Sequence, residues 1–407
     1  MSNLELSPEE IEFLLSPVAI RERAAKIFQL TTAGKTNFIF HESRVEPTVD
    51  YVIGVIKKNY PDLKIPFHSR WGHFQVGKVD RVSRVNAMLF DRDPMEKARI
   101  KLDLVITSVL LDAGSGPMWK FVEYESNKTY TRSEGLGVAS LNMFLSGVMS
   151  GSRSELAADS KGLKALKIKD IRDNFQVTDS NPLEGVEGRL GLLNGLGKAC
   201  ENKEMFKNCR PGNIIDYLAE KYGKKIPATA ILRAVLDGFG SIWPGRLSTG
   251  GRNLGDVWQH SKLTGSRASD SLVPFHKLSQ WMTYSLIEPI MEAGFEVTGV
   301  HELTGLAEYR NGGLFIDSGV LAFTDLSAQH KKWKPDAELI VEWRALTIHL
   351  LDVVGDKVRA KLGLTQENFP LAKVLEGGTW WAGRFIAQEK RSGGEPPLRI
   401  DSDGTVF

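Results

Sequence analysis

Hydrophobic residues recur every three or four positions along most of this chain, which is the spacing of amphipathic or buried helices. Ser7, Pro8 and Glu10 form the capping pattern of a helix start. Glycines at 114 and 294 follow two of the periodic stretches and predict helix ends there. We therefore predict a mainly α-helical protein. The clearest helical stretches are residues 18–30, 49–60, 95–114, 228–239, 274–293 and 336–362.

Other segments depart from this spacing. Residues 151–179 are polar and predict surface loops with short helices, and residues 295–306 could hold a short strand. Gly240 and Pro244 predict a helix stop. The stretch LEGGTWWAGRF, residues 375–385, and the end of the chain predict loops, which Trp380, Trp381 and Phe407 would tie down. No clear linker divides the sequence. We predict one compact domain over residues 1–407, with two lobes as an alternative.

Composition narrows the class of protein. The 407 residues suffice for one large domain, and no apolar run reaches the ~18–20 residues that span a bilayer. The acidic N-terminus lacks the basic start of a secretory signal. Two cysteines outside a secretory context favour reduced thiols in the cytoplasm. A net charge of +2 gives no basic field for nucleic acid. We expect a cytoplasmic protein that binds a small molecule and neither nucleic acid nor a membrane.

The most unusual stretch is LTGLAEYRNGGLFIDSGVL, where charged residues enter an apolar segment. Glu308, Tyr309 and Arg310 stand directly before two glycines, and Asp317 follows in the apolar run. Two carboxylates at such a place can stabilise a cationic transition state and activate a water molecule. The alternative is an internal ion pair between Glu308 and Arg310, or a helix end with a glycine cap.

A second group of charges lies in VEWRALTIHLL, a helix that otherwise looks buried. Glu342, Arg344 and His349 would be costly there unless they are paired. Either they form ion pairs with each other and with neighbours, or they line a polar cavity.

A third group lies in PFHKLSQW. His276, Gln280 and Tyr284 are four residues apart and would share one helix face. Lys277 would stand at the start of that helix, where the dipole and the free N–H groups also attract anions. The interpretation is a phosphate or carboxylate site, and the alternative is a solvated helix start.

Trp380 and Arg384 form a fourth group with the glycines of EGGTWWAGRF. They suit a wall against a planar ligand and an anion, or else a glycine turn with two core tryptophans. The segment lacks the spacing of a phosphate-binding loop or a dinucleotide fingerprint. His68 and His73 are five residues apart and lack the spacing of a helical zinc site. We expect no metal and no cofactor.

The most distinctive stretches along the chain are FHSRWGHF, VITSVLLDAGSG, RSEGLGVAS, IWPGR, VPFHKLSQWMTYSLIEP, LTGLAEYRNGGLFIDSGVL, VEWRALT, EGGTWWAGR and SDGTVF. Through these stretches nearly the whole chain resembles the uracil catabolism protein four family. The family is associated with a pathway that degrades uracil through a ribosylated form to urea and a three-carbon acid.

A more distant resemblance links PFHKLSQ, LTGLAEYR and VEWRALTI to the queuosine 5'-phosphate hydrolase family of queuosine salvage. Members of that family are helical, are related in fold to DNA glycosylases and cleave an N-glycosidic bond. The resemblance places Glu308 at the family's catalytic aspartate, Lys277 at its lysine, and Glu342 with Arg344 at its second acid–base pair. His276 replaces a tyrosine and Asn311-Gly312-Gly313 replaces Val-Pro-Gln, so the base pocket should differ.

Together the residues and the resemblances predict an N-ribosyl hydrolase that acts on a ring-opened uridine nucleotide such as ribosylurea 5'-phosphate. It would release urea or a ureido acid and ribose 5-phosphate. The predicted catalytic residues are Glu308, Asp317 and Glu342. The alternatives are an amidohydrolase that acts on the ureido chain and a non-catalytic ligand-binding protein. The predicted substrate-binding residues are His276, Lys277, Gln280, Tyr309, Arg310, Arg344, Trp380 and Arg384.

Overall fold

The structure is a computed structural model that describes residues 5–112, 114–153, 155–243 and 247–401. Helices dominate this part of the chain, and its strands are two to four residues long and form two-stranded pairs. The predicted mainly α fold is thereby confirmed. The predicted helix stop at Pro244, most of the IWPGR motif, the SDGTVF motif and the tied-down Phe407 lie outside the described residues.

The helices and strands follow one another in short steps along the chain. The helices are Pro8–Leu14 (α1), Pro17–Thr32 (α2), Val45–Asn59 (α3), Arg70–Phe74 (α4), Arg81–Met88 (α5), Pro94–Leu110 (α6), Arg132–Leu145 (α7), Ser160–Ala165 (α8), Ile168–Asn174 (α9), Val186–Ala199 (α10), Ile214–Tyr222 (α11), Ala228–Phe239 (α12), Lys277–Glu292 (α13), Tyr309–Asp317 (α14), Glu338–Leu362 (α15), Leu371–Val374 (α16) and Trp380–Lys390 (α17). The strands are Phe38–Phe40 (β1), Lys120–Glu123 (β2), Lys128–Thr131 (β3), Lys225–Pro227 (β4), Ser248–Thr249 (β5), Arg252–Asn253 (β6), Val257–Gln259 (β7), Leu272–Pro274 (β8), Glu296–Thr298 (β9), Leu321–Phe323 (β10), Lys332–Trp333 (β11) and Arg399–Ile400 (β12).

The chain divides into two compact units, each built from separated segments. The first unit contains residues 5–68, 247–280 and 299–401, and the second contains residues 69–243 and 281–298. In the first unit, β1 pairs antiparallel with β10, β5 with β6 and β7 with β8, while β11 and β12 run parallel. In the second unit, β2 pairs antiparallel with β3, and β4 runs parallel to β9. The prediction of a single domain stays a prediction.

The long helix α15 lies in the core of the first unit. Leu339, Ile340, Leu346 and Leu350 on its surface are at most 5% exposed, and α2, α3 and α14 pack against it. Helix α15 itself carries apolar residues on nearly all of its faces, as predicted. It can do so because neighbouring elements, and not solvent, surround it. The buried Arg344 and Glu342 therefore need partners inside the unit.

In the second unit, α6 has the same character over its C-terminal half, where residues 102–110 are buried. Asp103 on this helix accepts hydrogen bonds from the backbone N–H groups of Ala158 and Gly212 and from Arg210. The helix ends at Leu110, and the predicted stop at Gly114 lies a turn too late. No helix in the described residues is both long enough and apolar enough to cross a membrane.

The prediction of a loop at LEGGTWWAGRF is wrong. Residues 371–390 are helical throughout, with a π-helical turn at Leu375–Thr379 between α16 and α17. The glycines serve close packing there: a Cβ on Gly377 would lie 2.4 Å from Ile65, and one on Gly378 would lie 2.7 Å from Val52. Glycine lowers helix propensity by about 1 kcal/mol, but packing against α3 and the segment that follows it outweighs that loss.

Helix α17 also approaches α14 closely. A Cβ on Gly383 would lie 2.2 Å from the carbonyl oxygen of Arg310, far inside van der Waals contact. The obstacle is backbone of another helix, so it cannot rotate away. Gly383 thus sets the distance between the helix that carries Trp380 and Arg384 and the helix that begins after Glu308.

We expect Gly383→Ala to destabilise the protein by roughly 1–3 kcal/mol, because the added methyl group forces α17 and α14 apart. The matched control is Gly54→Ala in α3, where an added Cβ meets nothing within 4 Å. That variant should gain up to ~1 kcal/mol from higher helix propensity. Denaturant titrations of both variants check this, and a Gly383→Ala protein as stable as Gly54→Ala would contradict the close contact.

Candidate functional site

The centre of the candidate site is an ion pair between Arg344 and Asp256. Nη1 and Nη2 of Arg344 donate to the two carboxylate oxygens at 2.8 and 2.7 Å, in the bidentate geometry that strengthens such pairs. The guanidinium lies 4.1 Å from the centre of the Phe275 ring. Arg344 is 1% exposed, so its pairing satisfies a charge that would otherwise be costly in the core.

The Asp256 carboxylate accepts two further hydrogen bonds. Trp258 Nε1 donates to it at 2.6 Å and the backbone N–H of Lys277 at 3.0 Å. Burial raises the pKa of the Asp256 carboxyl, but the Arg344 charge and these hydrogen bonds outweigh burial and hold the pKa below its usual value. Asp256 is therefore an ionised carboxylate at neutral pH. Asp256 is not among the residues predicted from the sequence, because its partner Arg344 lies 88 residues further along the chain.

The same ion pair joins the starts of two helices. Lys277, whose N–H reaches Asp256, is the first residue of α13. On the other side, Nε of Arg344 is 3.5 Å from the carbonyl oxygen of Ala307, one residue before Glu308. Glu308 in turn precedes α14. The first turns of α13 and α14 are thus both attached to the Arg344–Asp256 pair. We call these two turns, with Arg344 and Asp256, the helix-start site.

Glu308 is the N-cap residue of α14. Its carboxylate accepts hydrogen bonds from the backbone N–H groups of Arg310 and Asn311, both at 2.6 Å. The side chain is 8% exposed. The carboxylate thus lies at the N-terminal end of α14, where the helix dipole is positive and the backbone N–H groups are free to donate. Each oxygen keeps a lone pair that these two bonds do not use.

The predicted alternative of an ion pair between Glu308 and Arg310 is not found. Nη1 of Arg310 donates instead to the carbonyl oxygen of Gly394 at 2.9 Å, and its guanidinium lies 4.9 Å from the Tyr309 ring centre. No salt bridge joins Glu308 to another described residue. The backbone of Arg310, rather than its charge, orients the carboxylate. Within the described part of the chain, the Glu308 carboxylate is therefore bound by backbone N–H groups and by no cationic side chain.

Two buried carboxamides belong to the first turns of the same helices. Gln280 in α13 and Asn311 in α14 are both 0% exposed. Neither the oxygen nor the nitrogen of either side-chain amide has a hydrogen-bond partner among the described residues. Nε of Arg310 is also buried without a partner. Such orphaned groups are uncommon in folded proteins because each costs about 1–3 kcal/mol.

His276 and Lys277 are placed differently from the prediction. The helix begins at Lys277, while Pro274 ends β8 and His276 adopts a left-handed φ of 47°. Nε2 of His276 donates to the carbonyl oxygen of Leu14 at 3.0 Å, and burial lowers the pKa of the ring. The anion at this helix start is the protein's own Asp256. His276 is thus a neutral, structurally engaged side chain.

Glu342 and Asp317, the other two predicted catalytic acids, have partners of their own. Glu342 is fully buried, 3.2 Å from Nε2 of His260, and accepts from the backbone and side chain of Asn37 at 2.8 and 2.9 Å. Asp317 forms a two-point ion pair with Arg391. The charges of α15 were predicted either to pair or to line a polar cavity. Glu342 is paired, and its partners lie outside α15.

Asp317 also lies at the far end of α14 from Glu308. Nine residues at 1.5 Å each separate their Cα atoms by roughly 13 Å along the helix. Nine positions are also about two and a half helical turns, so the two side chains leave α14 on opposite faces, whereas glycosidases hold their paired carboxyl groups only ~5–9.5 Å apart. The structure therefore does not bring these two acids together, and catalytic roles for Asp317 and Glu342 stay predictions without geometric support.

Trp380 and Arg384 project from α17, which packs on α14. The rings of Trp380 and Trp381 meet edge to face at 5.0 Å, and the Arg384 guanidinium lies 5.7 and 5.4 Å from their centres. Both Trp380 and Arg384 are half-buried. Trp380, Trp381 and Arg384 thus form an aromatic and cationic cluster on α17, and its role as a ligand wall stays a prediction.

Among the described residues, no group of three or more His, Cys, Asp or Glu side chains is arranged to hold a metal ion. In the first unit, a polar cavity of about 270 Å³ is lined by Arg21, Asp352, Arg359 and neighbours. The residues that line this cavity include none of the predicted site residues.

Comparison with known proteins identifies the family. A family model described as "Protein of unknown function (DUF1688)" matches residues 13–407. Uracil catabolism protein 4 of Lachancea kluyveri is 38% identical over 436 aligned residues, which cover 98% of this chain and 99% of that protein. Protein urg3 of Schizosaccharomyces pombe is 38% identical over 417 residues, which cover 99% and 100%. These matches extend over nearly the whole sequence, and the chain therefore belongs to the DUF1688 family, together with uracil catabolism protein 4.

Proposed function

We propose that this protein acts in uracil catabolism as an N-ribosyl hydrolase of a ring-opened uridine nucleotide. The name of the relative in Lachancea kluyveri supports the pathway. The observation that carries the reaction is the carboxylate of Glu308, fixed by two backbone N–H groups and unpaired with any cation of the described residues. A rigid anion of this kind is what an oxocarbenium-like transition state requires.

The reaction is a hydrolysis. With ribosylurea 5'-phosphate, the bond between the anomeric carbon and the urea nitrogen breaks, and its electrons leave with the nitrogen. Water supplies hydroxide to the anomeric carbon and one proton to the leaving nitrogen, so the products are ribose 5-phosphate and urea. Glu308 stabilises the positive charge on the sugar and accepts a hydrogen bond from the attacking water through a remaining lone pair.

The other side chains of the helix-start site position this carboxylate. Arg344 holds the Ala307 carbonyl and Asp256, and so fixes the chain immediately before Glu308. Because Asp256 occupies both terminal nitrogens of Arg344 and the backbone N–H of Lys277, we assign the substrate phosphate to the side-chain ammonium of Lys277 and to Arg384. Trp380 and Tyr309 are assigned to the sugar.

An amidohydrolase would need an activated nucleophile or a metal-bound water. Cys200 does not fit that role, since it is fully buried and burial raises the pKa of its thiol. No observation in the described residues favours the amidohydrolase over the N-ribosyl hydrolase.

The test is a product assay with ribosylurea 5'-phosphate, uridine 5'-phosphate and the dephosphorylated forms of both. Mass spectrometry would follow ribose 5-phosphate, urea, ammonia and carbon dioxide. Release of ribose 5-phosphate and urea in equal amounts supports the proposal. Release of ammonia with the sugar still attached to nitrogen would indicate an amidohydrolase that cleaves the ureido chain, and it would contradict the proposal.

A further inference from the structure

Gln280 and Asn311 stand out in the first unit, because every polar atom of each side chain is buried and unpartnered among the described residues. Two amide oxygens and two amide nitrogens are thus buried without a hydrogen-bond partner. The desolvation of each group is a cost that the ligand-free protein bears. Both residues belong to the helix-start site, within a turn of Lys277 and Glu308 respectively. A ligand that satisfies both amides would recover that cost.

The unpartnered amide groups of Gln280 and Asn311 indicate which kind of ligand would fit them. A primary amide has two N–H donors and one carbonyl acceptor. Each side chain is therefore satisfied only by a ligand that both accepts and donates hydrogen bonds. An anion only accepts, and it would leave both amide oxygens unsatisfied. The matching ligand is neutral and carries at least two N–H groups beside a carbonyl.

A closed uracil ring and an opened ureide differ in the number of N–H donors that they offer to these amides. An N-ribosylated uracil has a single N–H, at N3, and can satisfy only one of the two amide oxygens. A ribosylated urea has three N–H groups and one carbonyl, and it can donate to both oxygens while accepting from an amide nitrogen. The leaving group that fits two carboxamides is therefore the opened ureide and not the closed ring.

We propose that Gln280 and Asn311 form a ureide subsite that binds the leaving group and makes the protein specific for ring-opened substrate. This inference rests on the proposed N-ribosyl hydrolase, since it places the leaving group beside Glu308. It adds Asn311 to the site and defines the role of Gln280. It also places this protein after a ring-opening reaction, because the substrate must reach it already hydrolysed at the pyrimidine ring.

Binding can be measured without turnover. The probes are two carbocyclic ribose 5-phosphate analogues, one carrying urea and one carrying uracil, in which a methylene replaces the ring oxygen. Neither can form an oxocarbenium ion, so neither is hydrolysed by the proposed mechanism. They share the hydroxyl groups and the phosphate, and only the base differs between them.

We expect the urea analogue to bind the wild-type protein at least ~10-fold more tightly than the uracil analogue, as measured by calorimetry. Gln280→Met and Asn311→Ala should each remove most of this preference. Equal affinities for the two analogues, or a preference that survives both substitutions, would overturn the subsite.

The stability of the ligand-free protein gives a second readout. Gln280→Met removes two orphaned polar atoms and should leave the melting temperature unchanged or raise it by about 2 °C. The matched control is Gln176→Met in the second unit, because both amide atoms of Gln176 bond to the backbone of Val122. This control should lower the melting temperature and keep the ligand preference. A Gln280→Met protein that melts as early as the control would mean that the amide already has partners.

The product assay with ribosylurea 5'-phosphate separates this inference from the proposed function. Ribose release without any ureide preference would contradict the subsite and leave the hydrolase standing. Preferential binding of the urea analogue without ribose release would support the subsite and contradict the hydrolase.

Discussion

Glu308→Gln is expected to lower kcat for ribose 5-phosphate release by about 10²–10³-fold and to leave KM nearly unchanged. The amide is close in shape to the carboxylate but carries no charge, so it no longer stabilises the cationic sugar in the transition state. It also places an N–H group against one of the two backbone N–H groups that Glu308 now binds. The accompanying loss of helix capping should cost ~1 kcal/mol. Initial rates with ribosylurea 5'-phosphate, measured well below the melting temperature, provide the check.

Asp317→Asn is the matched control, since Asp317 is the buried acid at the other end of α14. Its substitution weakens the ion pair with Arg391 and should lower stability while kcat stays within about threefold. If both substitutions reduced kcat equally, the effect would lie in the packing of α14 and not in the charge of Glu308. A Glu308→Gln enzyme with near wild-type kcat would contradict the role proposed for this residue.

Arg344→Met is expected to produce the largest loss of stability, about 3–5 kcal/mol, because it leaves the Asp256 carboxylate buried without its cation. The double variant Arg344→Met with Asp256→Asn should recover part of that loss, since no uncompensated charge remains. Denaturant unfolding of the two single variants and the double variant gives the coupling energy of the pair. Simple additivity of the two single effects would contradict a direct interaction.

The same ion pair predicts a pH dependence. The pKa of Asp256 is lower in the folded than in the unfolded protein, so the folded state binds fewer protons at this site. Its contribution to stability is complete above the unfolded pKa of ~3.9 and is lost as the pH falls below that value. Stability should therefore fall less steeply below pH ~4 in Asp256→Asn than in the wild type. Parallel curves for the two proteins would mean that the carboxyl titrates normally.

Several features of the fold were readable from sequence because they depend on local spacing. The helical class follows from apolar periodicity, and the capping box at Ser7 and Glu10 is present as predicted. The buried charges of VEWRALTIHLL were also recognised correctly as needing partners. Their partners could not be identified, because Asp256 lies 88 residues before Arg344 and Asn37 lies 305 residues before Glu342. Long-range pairing leaves no periodic signal.

The candidate site shows a second kind of limit. Glutamate is an uncommon N-cap, and so the ion pair with Arg310 looked more natural than a bond to its backbone. The glycines of EGGTWWAGRF suggested a loop because glycine usually breaks helices, whereas here they let a helix approach α3 and α14. The orphaned state of Gln280 and Asn311 is a property of the whole packed unit. No short stretch of sequence encodes it.

The division of the first unit into three chain segments has a consequence during synthesis on the ribosome. β1 pairs with β10 across roughly 280 intervening residues, and the buried face of α2 packs on α15. At about 5–20 residues per second, the nascent α2 waits on the order of 15–60 s before α15 has been translated. During that time its apolar face, including Ile20, Ala24 and Ile27, lacks its final neighbour. The N-terminal segment therefore exposes an apolar surface to the cell for that time, and a chaperone that covers it would protect the growing chain from aggregation.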